Sequence, residues 1–445
     1  MSARTRTYKD LAKSVELELK KRGITNFNLE AITSLFEPMY FASLRTDESE
    51  PISFHIVYLD PDDPDPDPPR RITNDRWKSV RFEQPILATI SNLIKVAKAS
   101  DPRTSSLAIY EDTQRDLFVW GLVDQGNTYS DFVNYESESG PCRPGLFQAS
   151  IVGIGHVVAF IEMQKIAELK INELITSAPD VLWGGPIHDA LAPGINSYLT
   201  AVKRSVSDRI YQARDHWDMS LEAWWIESLC RLLLRLQKYR HGGAILVVPG
   251  QSSRGLNIKY GLQYNRLSSA LERRAALSIQ ETHARDQIWE DYLDEDADDI
   301  PSSLYLDESV AQGNLEDNRR EMDGTIWFIS LLTRVDGLVL LNQRLAVRGF
   351  GVEITYSEEP QDLFLAGNRN GTKAKLRKLD YNHYGTRHRS MMRYCSKMPG
   401  SVGFVVSQDG DVRAMTKVGR SLIMWENIKL QVPDFIRQRR KLRTG

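Results

Sequence analysis

The run from Leu221 to Pro249 constrains the fold most. Leu221, Trp225, Leu229, Leu232, Leu233 and Leu236 recur at helical spacing, so one face of a helix must be buried. Asp218 or Ser220 is placed to cap its start. His241-Gly242-Gly243 closes it, and Ala244-Ile245-Leu246-Val247-Val248-Pro249 follows at once, an apolar run that reads as a buried strand. A helix that delivers the chain into such a strand needs layers on which to pack. Helices alternating with strands through the second half predict an α/β domain, a central mixed sheet flanked by helices.

The rest of that half extends the pattern. Residues 258–262 are expected to pair beside 244–249, and 264–286 to be helical. Residues 287–318 are strongly acidic and contain Pro301, which predicts an insertion loop with a short helix. Ile326, Phe328, Ile329, Leu331 and Leu332 predict a helix over 324–334 that feeds the strand after Asp336. Residues 345–354 are its hairpin partner, and 401–407 with 411–416 form another pair. The expected domains are 1–206, 207–428 and a basic tail over 429–445.

The first half predicts an α+β domain. A helix is expected over 8–22, a second apolar stretch runs over 31–44, and a strand is expected over 53–59. The tract Asp60-Pro61-Asp62-Asp63-Pro64-Asp65-Pro66-Asp67-Pro68-Pro69 must be a loop, because proline at nearly alternate positions excludes helix. Residues 81–161 read as strand-rich, with a hairpin from 105–110 and 116–123 and a strand pair bent at Gly153-Ile154-Gly155. Residues 162–237 read as helical with interruptions.

Composition excludes several classes. A net charge of -2 gives no global basic field for nucleic acid. The three cysteines, Cys142, Cys230 and Cys395, lie too far apart for a CxxC pair or a disulfide framework. No apolar run approaches the ~20 residues of a membrane helix. The expectation is a cytoplasmic protein with no membrane partner.

Two short motifs carry chemistry. Gly385-Thr386-Arg387-His388-Arg389 follows Asp336-Gly337-Leu338 by about fifty residues. Two arginines, a histidine and a threonine hydroxyl behind a glycine are a compact set of donors for phosphate oxygens. A carboxylate at the end of a buried strand suits a divalent ion or a ribose hydroxyl. Together they suggest a nucleoside triphosphate and a metal ion.

On these motifs residues 207–428 resemble the diadenylate cyclase domain. That family carries an Asp-Gly-Ala motif and then a Gly-Thr-Arg-His-Arg motif. It opens on a strand like Gly243-Ala244-Ile245-Leu246-Val247 and ends on one running into Val-Ser-Glu-Glu, here Val405-Val406-Ser407-Gln408-Asp409. The first half is similar to the sensor domains that precede such cyclases, through arrangement and strings such as Val119-Trp120-Gly121-Leu122.

The resemblance implies condensation of two ATP into cyclic di-AMP with Mg²⁺ or Mn²⁺, in a homo-oligomer with cyclase domains face to face. It implies catalytic roles for Asp336, Arg387 and His388. Gly337, Leu338, Gly385, Thr386, Arg387, His388, Arg389 and Ser407 would bind nucleotide, and Asp336 and Asp409 metal. The first half would take an unknown sensor ligand. Three departures stand out: Val335 where many members have a histidine, Leu338 for alanine, and Gln408-Asp409 for Glu-Glu. They motivate a second reading, a nucleotide- or cyclic-dinucleotide-binding regulator without catalysis.

Overall fold

The computed structural model describes residues 5–24, 28–62, 78–101, 104–124, 147–161, 164–176, 179–212, 217–239, 241–288, 302–408 and 410–430. The chain divides into two compact units, Met1–Ser177 and Ala178–Gly445.

The first unit opens with α1 (Tyr8–Lys21) and α2 (Leu29–Ser43), then the ribbon of β1 (Thr46–Asp47) and β2 (Glu50–Pro51). Next come β3 (Phe54–Tyr58), β4 (Lys78–Leu87), α3 (Ile90–Ala97), β5 (Ser105–Glu111) and β6 (Leu117–Asp124). The unit ends with β7 (Phe147–Gly153), β8 (His156–Ile161), β9 (Gln164–Lys170) and β10 (Glu173–Ile175). One sheet runs β10-β9-β8-β7-β3-β5-β6-β4. Within it β3 and β5 are parallel and the other pairs antiparallel. Alternate strand residues, Phe54, Ile56, Leu107, Ile109, Ala149, Ile151, Val157 and Ala159, share a core with Leu11, Val15, Leu35, Phe36 and Leu93 of the helices. The side-chain period of two thus lays the helices on one sheet face.

The hairpin β5–β6 and the turn at Gly155 (φ +61°) agree with the sequence reading. The stretch over 81–161 is strand-rich as expected, with helix α3 set between β4 and β5, where Thr89 accepts from the Asn92 amide and caps the helix. One expectation does not survive. Residues 164–175 form strands rather than helix. Ala167 and Leu169 enter the core while Glu168 between them pairs with His156 at 3.0 Å and Lys165 at 2.8 Å, an alternation only a strand provides. The proline tract from residue 63 and Cys142 lie outside the described residues.

The second unit contains α4 (Pro186–Ser205), α5 (Asp208–Gln212), α6 (Trp217–Lys238), β11 (Gly243–Val248), β12 (Leu256–Tyr264), α7 (Arg266–Ile288) and α8 (Ser302–Leu332). Then follow β13 (Leu338–Asn342), β14 (Val347–Ile354), β15 (Leu363–Ala366), β16 (Leu376–Lys378), α9 (Thr386–Lys397), β17 (Val402–Val406), β18 (Val412–Val418) and β19 (Ser421–Trp425). Its sheet runs β12-β14-β13-β11-β17-β18-β19-β15-β16. It is mixed: β11 is parallel to β13 and β15 to β19, the rest antiparallel. Every residue of β11 is buried. Ala244, Leu246 and Val248 pack in one core with Met391, Met392, Tyr394 and Cys395 of α9. Gly243 meets Leu236 of α6. Cys230 and Cys395 are free and buried.

The unit differs from the sequence reading in three places. Its boundary lies between Ser177 and Ala178 rather than near 207. Helix α4 packs on α6, α7 and β18, and a Cβ at its Gly194 would stand 1.9 Å from the Gln343 carbonyl oxygen, so that helix is part of the second unit. Strand β12 pairs with β14 at the sheet edge, not with β11, whose two sides are taken by β13 and β17. The acidic stretch is no loop from residue 302 onward. Helix α8 runs unbroken to Leu332, with Asn318, Met322, Ile326 and Ile329 buried at helical spacing and Glu321 paired to Arg266 and Arg273. Residues 289–301 and 431–445, the basic tail among them, lie outside the described residues. Among the described residues no helix is long and apolar enough to cross a membrane.

Helix α9 rests on β17 at Gly403, where a Cβ would lie 2.4 Å from Met391 Cγ and 3.0 Å from Cys395 Sγ. Gly403→Val should overpack this contact, costing about 1–3 kcal/mol. Chemical denaturation of wild type and variant checks it; equal midpoints would contradict the contact.

Candidate active site

The sheet register brings the two motifs to one edge. Ile245 of β11 stands beside Val339 of β13, and Gly243 of β11 beside Val406 of β17. The chain entering β11 (His241-Gly242), the chain entering β13 (Asp336-Gly337) and the chain leaving β17 (Ser407) therefore meet at the same sheet end. Helix α9 points its start there too. A Cβ on Gly242 would sit 2.8 Å from Arg387 Nη1 and 3.1 Å from the Val406 carbonyl oxygen. With φ at +73° and so little room, only glycine suits that position.

Asp336 is exposed in the turn before β13. Gly337 holds it there. Its φ is +113°, and a Cβ would lie 2.7 Å from the carbonyl carbon of Gly351 on β14. Leu338 opposes Val352 and is buried in the core, 5% exposed. Its side chain packs in the core with Leu340, Val352 and Met391. Lys259 of β12 lies near enough to feel the Asp336 charge, though its own raised pKa comes first from its hydrogen bond to Glu353.

Gly385 precedes α9 with an extended backbone and gives the helix no side-chain cap. The first intrahelical bond runs from the Arg389 amide to the Gly385 carbonyl at 3.1 Å. The amides of Thr386, Arg387 and His388 thus have no helical acceptor, and the helix dipole favours an anion there. Arg387 and Arg389 are half-buried, and among the described residues neither has a carboxylate partner. Arg389 lies 5.9 Å from the Tyr381 ring.

His388 is not the cation its neighbours suggest. Burial, then Arg413 and Arg387, push its pKa down to about 4. Arg413 Nη1 stands 3.1 Å from His388 Nε2. Arg413 Nε and the Tyr384 hydroxyl both donate to Glu426 Oε1 at 3.0 Å. Burial and the Glu426 charge raise the Tyr384 phenol well above its ordinary range.

Ser407 closes the turn from β17 to β18. Its hydroxyl accepts from the Asp411 amide at 3.1 Å and its own amide donates to the Asp411 carbonyl at 2.9 Å. It shapes the sheet end as well as lining it. Asp409, expected as a metal ligand, lies outside the described residues. Among the described residues no group of three or more His, Cys, Asp or Glu is placed to hold a metal ion. Asp336 is one described carboxylate at this sheet end, the kind of group that could serve a hydrated Mg²⁺ or Mn²⁺, ions that keep several waters and take phosphate oxygens.

The sequence did not single out Gly242, Arg413 or Glu426. Gly242 was legible only as a helix terminator. Arg413 and Glu426 sit on a hairpin with no motif of their own. His241 also borders the site. Its Nδ1–H donates to the Gly242 carbonyl at 2.7 Å, and its buried Nε2 has no partner among the described residues.

Compared with known families, residues 27–124, the span from α2 to β6, match the model described as the probable sensor domain DACNV, a sensor domain found before diadenylate cyclase domains. That match bears on the first unit. No curated protein matches the chain.

Two predictions follow from this geometry. Gly337→Ala should destabilise the second unit by about 1–3 kcal/mol, because alanine is strained at that φ and strikes Gly351; thermal melting checks it. The second concerns acid. With His388 depressed, the unfolded chain takes up its proton near pH 6.5 and the folded protein only near 4. Stability should be fully present above pH 6.5 and fall as pH drops toward 4, by on the order of 3 kcal/mol. His388→Gln should flatten that part of the stability–pH curve measured by denaturant titration.

Proposed function

We propose that the second unit is a diadenylate cyclase under the control of the N-terminal sensor domain, working on cytoplasmic ATP. One observation carries the reading. Arg387 and Arg389, without carboxylate partners among the described residues, stand at an uncapped helix start on the sheet end that also presents Asp336. Unpaired half-buried guanidinium groups are costly to keep unless an anion completes them, and a triphosphate is such an anion.

In the proposed reaction the 3′-hydroxyl oxygen of one ATP bonds to the α-phosphorus of another. The bond from that phosphorus to the bridging oxygen breaks, pyrophosphate leaves, and the hydroxyl gives up its proton. A second such transfer closes the ring. Arg387, Arg389 and the amides from Thr386 to His388 would hold the phosphates, with backbone at Gly337 and Gly385 allowing close approach. Asp336 would hold Mg²⁺ or Mn²⁺, which when bound would supply charge stabilisation for the triphosphate. Catalysis of this kind is positioning and charge stabilisation. Two bound ATP must face one another, so the active form is a homo-oligomer with cyclase units opposed.

The alternative reading, a nucleotide-binding regulator without turnover, is favoured by Val335 and Gln408, both exposed at the site where the family supplies metal-binding groups. Purified protein incubated with ATP and either ion, analysed by chromatography and mass spectrometry, separates the two. Wild type should yield cyclic di-AMP. Arg387→Ala should lose about 10²–10³-fold in rate, and Asp336→Asn should abolish metal-dependent turnover. Nucleotide binding with no product in either ion would decide for the regulator.

A further inference from the structure

His388 sits at the third position of α9, with Tyr384 ahead of it and Arg413 of β18 beside it. Tyr384 lies 5.7 Å ring to ring from His388, and its ring is also 5.7 Å from the Arg413 guanidinium. Arg413 touches His388 Nε2 at 3.1 Å through Nη1, and Glu426, just past β19, accepts from its Nε. The same Glu426 oxygen accepts from Tyr384. A guanidinium has five donors and no acceptor, so His388 Nε2 must be the acceptor in this contact. The ring is then neutral and its one proton is on Nδ1. Among the described residues that Nδ1–H has no acceptor.

We propose that Arg413 is a positioning residue that locks His388 into the neutral, Nδ1-protonated form, leaving Nδ1–H to donate to a phosphate oxygen, with Glu426 and Tyr384 holding Arg413 in place. The proposal rests on the reading of this sheet end as a nucleotide site. It makes His388 a fixed donor and not a proton carrier, since the nitrogen that would accept a proton is already occupied. The charged and titratable groups around the ring are Arg387 on its own helix, Tyr384 before it, Arg413 on β18, Glu426 behind Arg413, and Arg377 of β16, whose charge reaches Tyr384. The cations outnumber Glu426, so a second proton on the ring is opposed from several sides.

The test uses full-length protein carrying ¹⁵N-labelled histidine and two-bond ¹H–¹⁵N spectra. His388→Gln identifies the His388 signals among the 8 histidines. Wild type should show protonated Nδ1 and bare Nε2 at pH 7. Arg413→Lys, which keeps a donor, should preserve that pattern. Arg413→Met should release it to a mixture of the two neutral forms and raise the ring's pKa from its wild-type value, while burial and Arg387 still hold it below the usual histidine range. A wild-type ring protonated on Nε2, or the wild-type pattern persisting in Arg413→Met, would overturn the proposal. At pH 8, where His388 is neutral in both proteins, Arg413→Met should also weaken ATP binding about tenfold, the size of one ordered hydrogen bond; unchanged affinity would overturn the role given to Nδ1–H. The spectra need no turnover. An intact tautomer without cyclic di-AMP would therefore count against the cyclase reading alone.

Discussion

Strand β11 is the constraint from which the rest of the second unit follows. All of its residues are buried, so it cannot tolerate an open edge and must pair on both sides. Its partners are β13, parallel, and β17, antiparallel. That choice of directions puts the start of β11, the start of β13 and the end of β17 at one sheet end. Asp336, Gly242 and Ser407 come together because of it, across more than 160 residues of chain. Helix α9 adds the arginines, and it can do so only because Gly403 lets Met391 and Cys395 lie directly on the strand.

The site that results is unbalanced in charge. Arg387, Arg389 and Arg413 share this sheet end with the described carboxylates Asp336 and Glu426, and Glu426 is engaged by Arg413 and Tyr384. The imbalance explains why His388 is neutral: burial and two guanidinium groups all oppose its protonation. Arg387 and Arg389 keep no carboxylate partner among the described residues. Gly337 against Gly351 and Gly242 against Arg387 allow backbone and guanidinium to approach where a methyl group would not fit.

Much of this was legible in the chain, and what was missed has common causes. The helix over Trp217–Lys238, strand β11, the hairpins β5–β6, β13–β14 and β17–β18, and both motifs carry local signals of period, punctuation or residue type. The part of helix α8 before residue 324 was hidden by its composition: acidic residues line its exposed side, and few apolar residues mark the side that is buried. Strand β10 has only three residues, and β9 carries charged residues between its buried ones. The pairing of β12 depends on which neighbours β11 has already taken, and no local pattern reports that. Arg413 and Glu426 look like ordinary polar residues of a hairpin until the hairpin is laid beside α9.

By itself the sequence determined which segments must be buried, where glycine breaks them, and which side chains suit phosphate. These are properties of single residues and their near neighbours. The tertiary structure decided the domain boundary, the edge position of β12, the burial of Leu338 and the state of His388. Each of these turns on which distant groups end up side by side. The pKa of an imidazole depends on the charges and solvent around it, and the order of strands depends on competition for one strand's open edges; neither is encoded within a few residues of the group concerned.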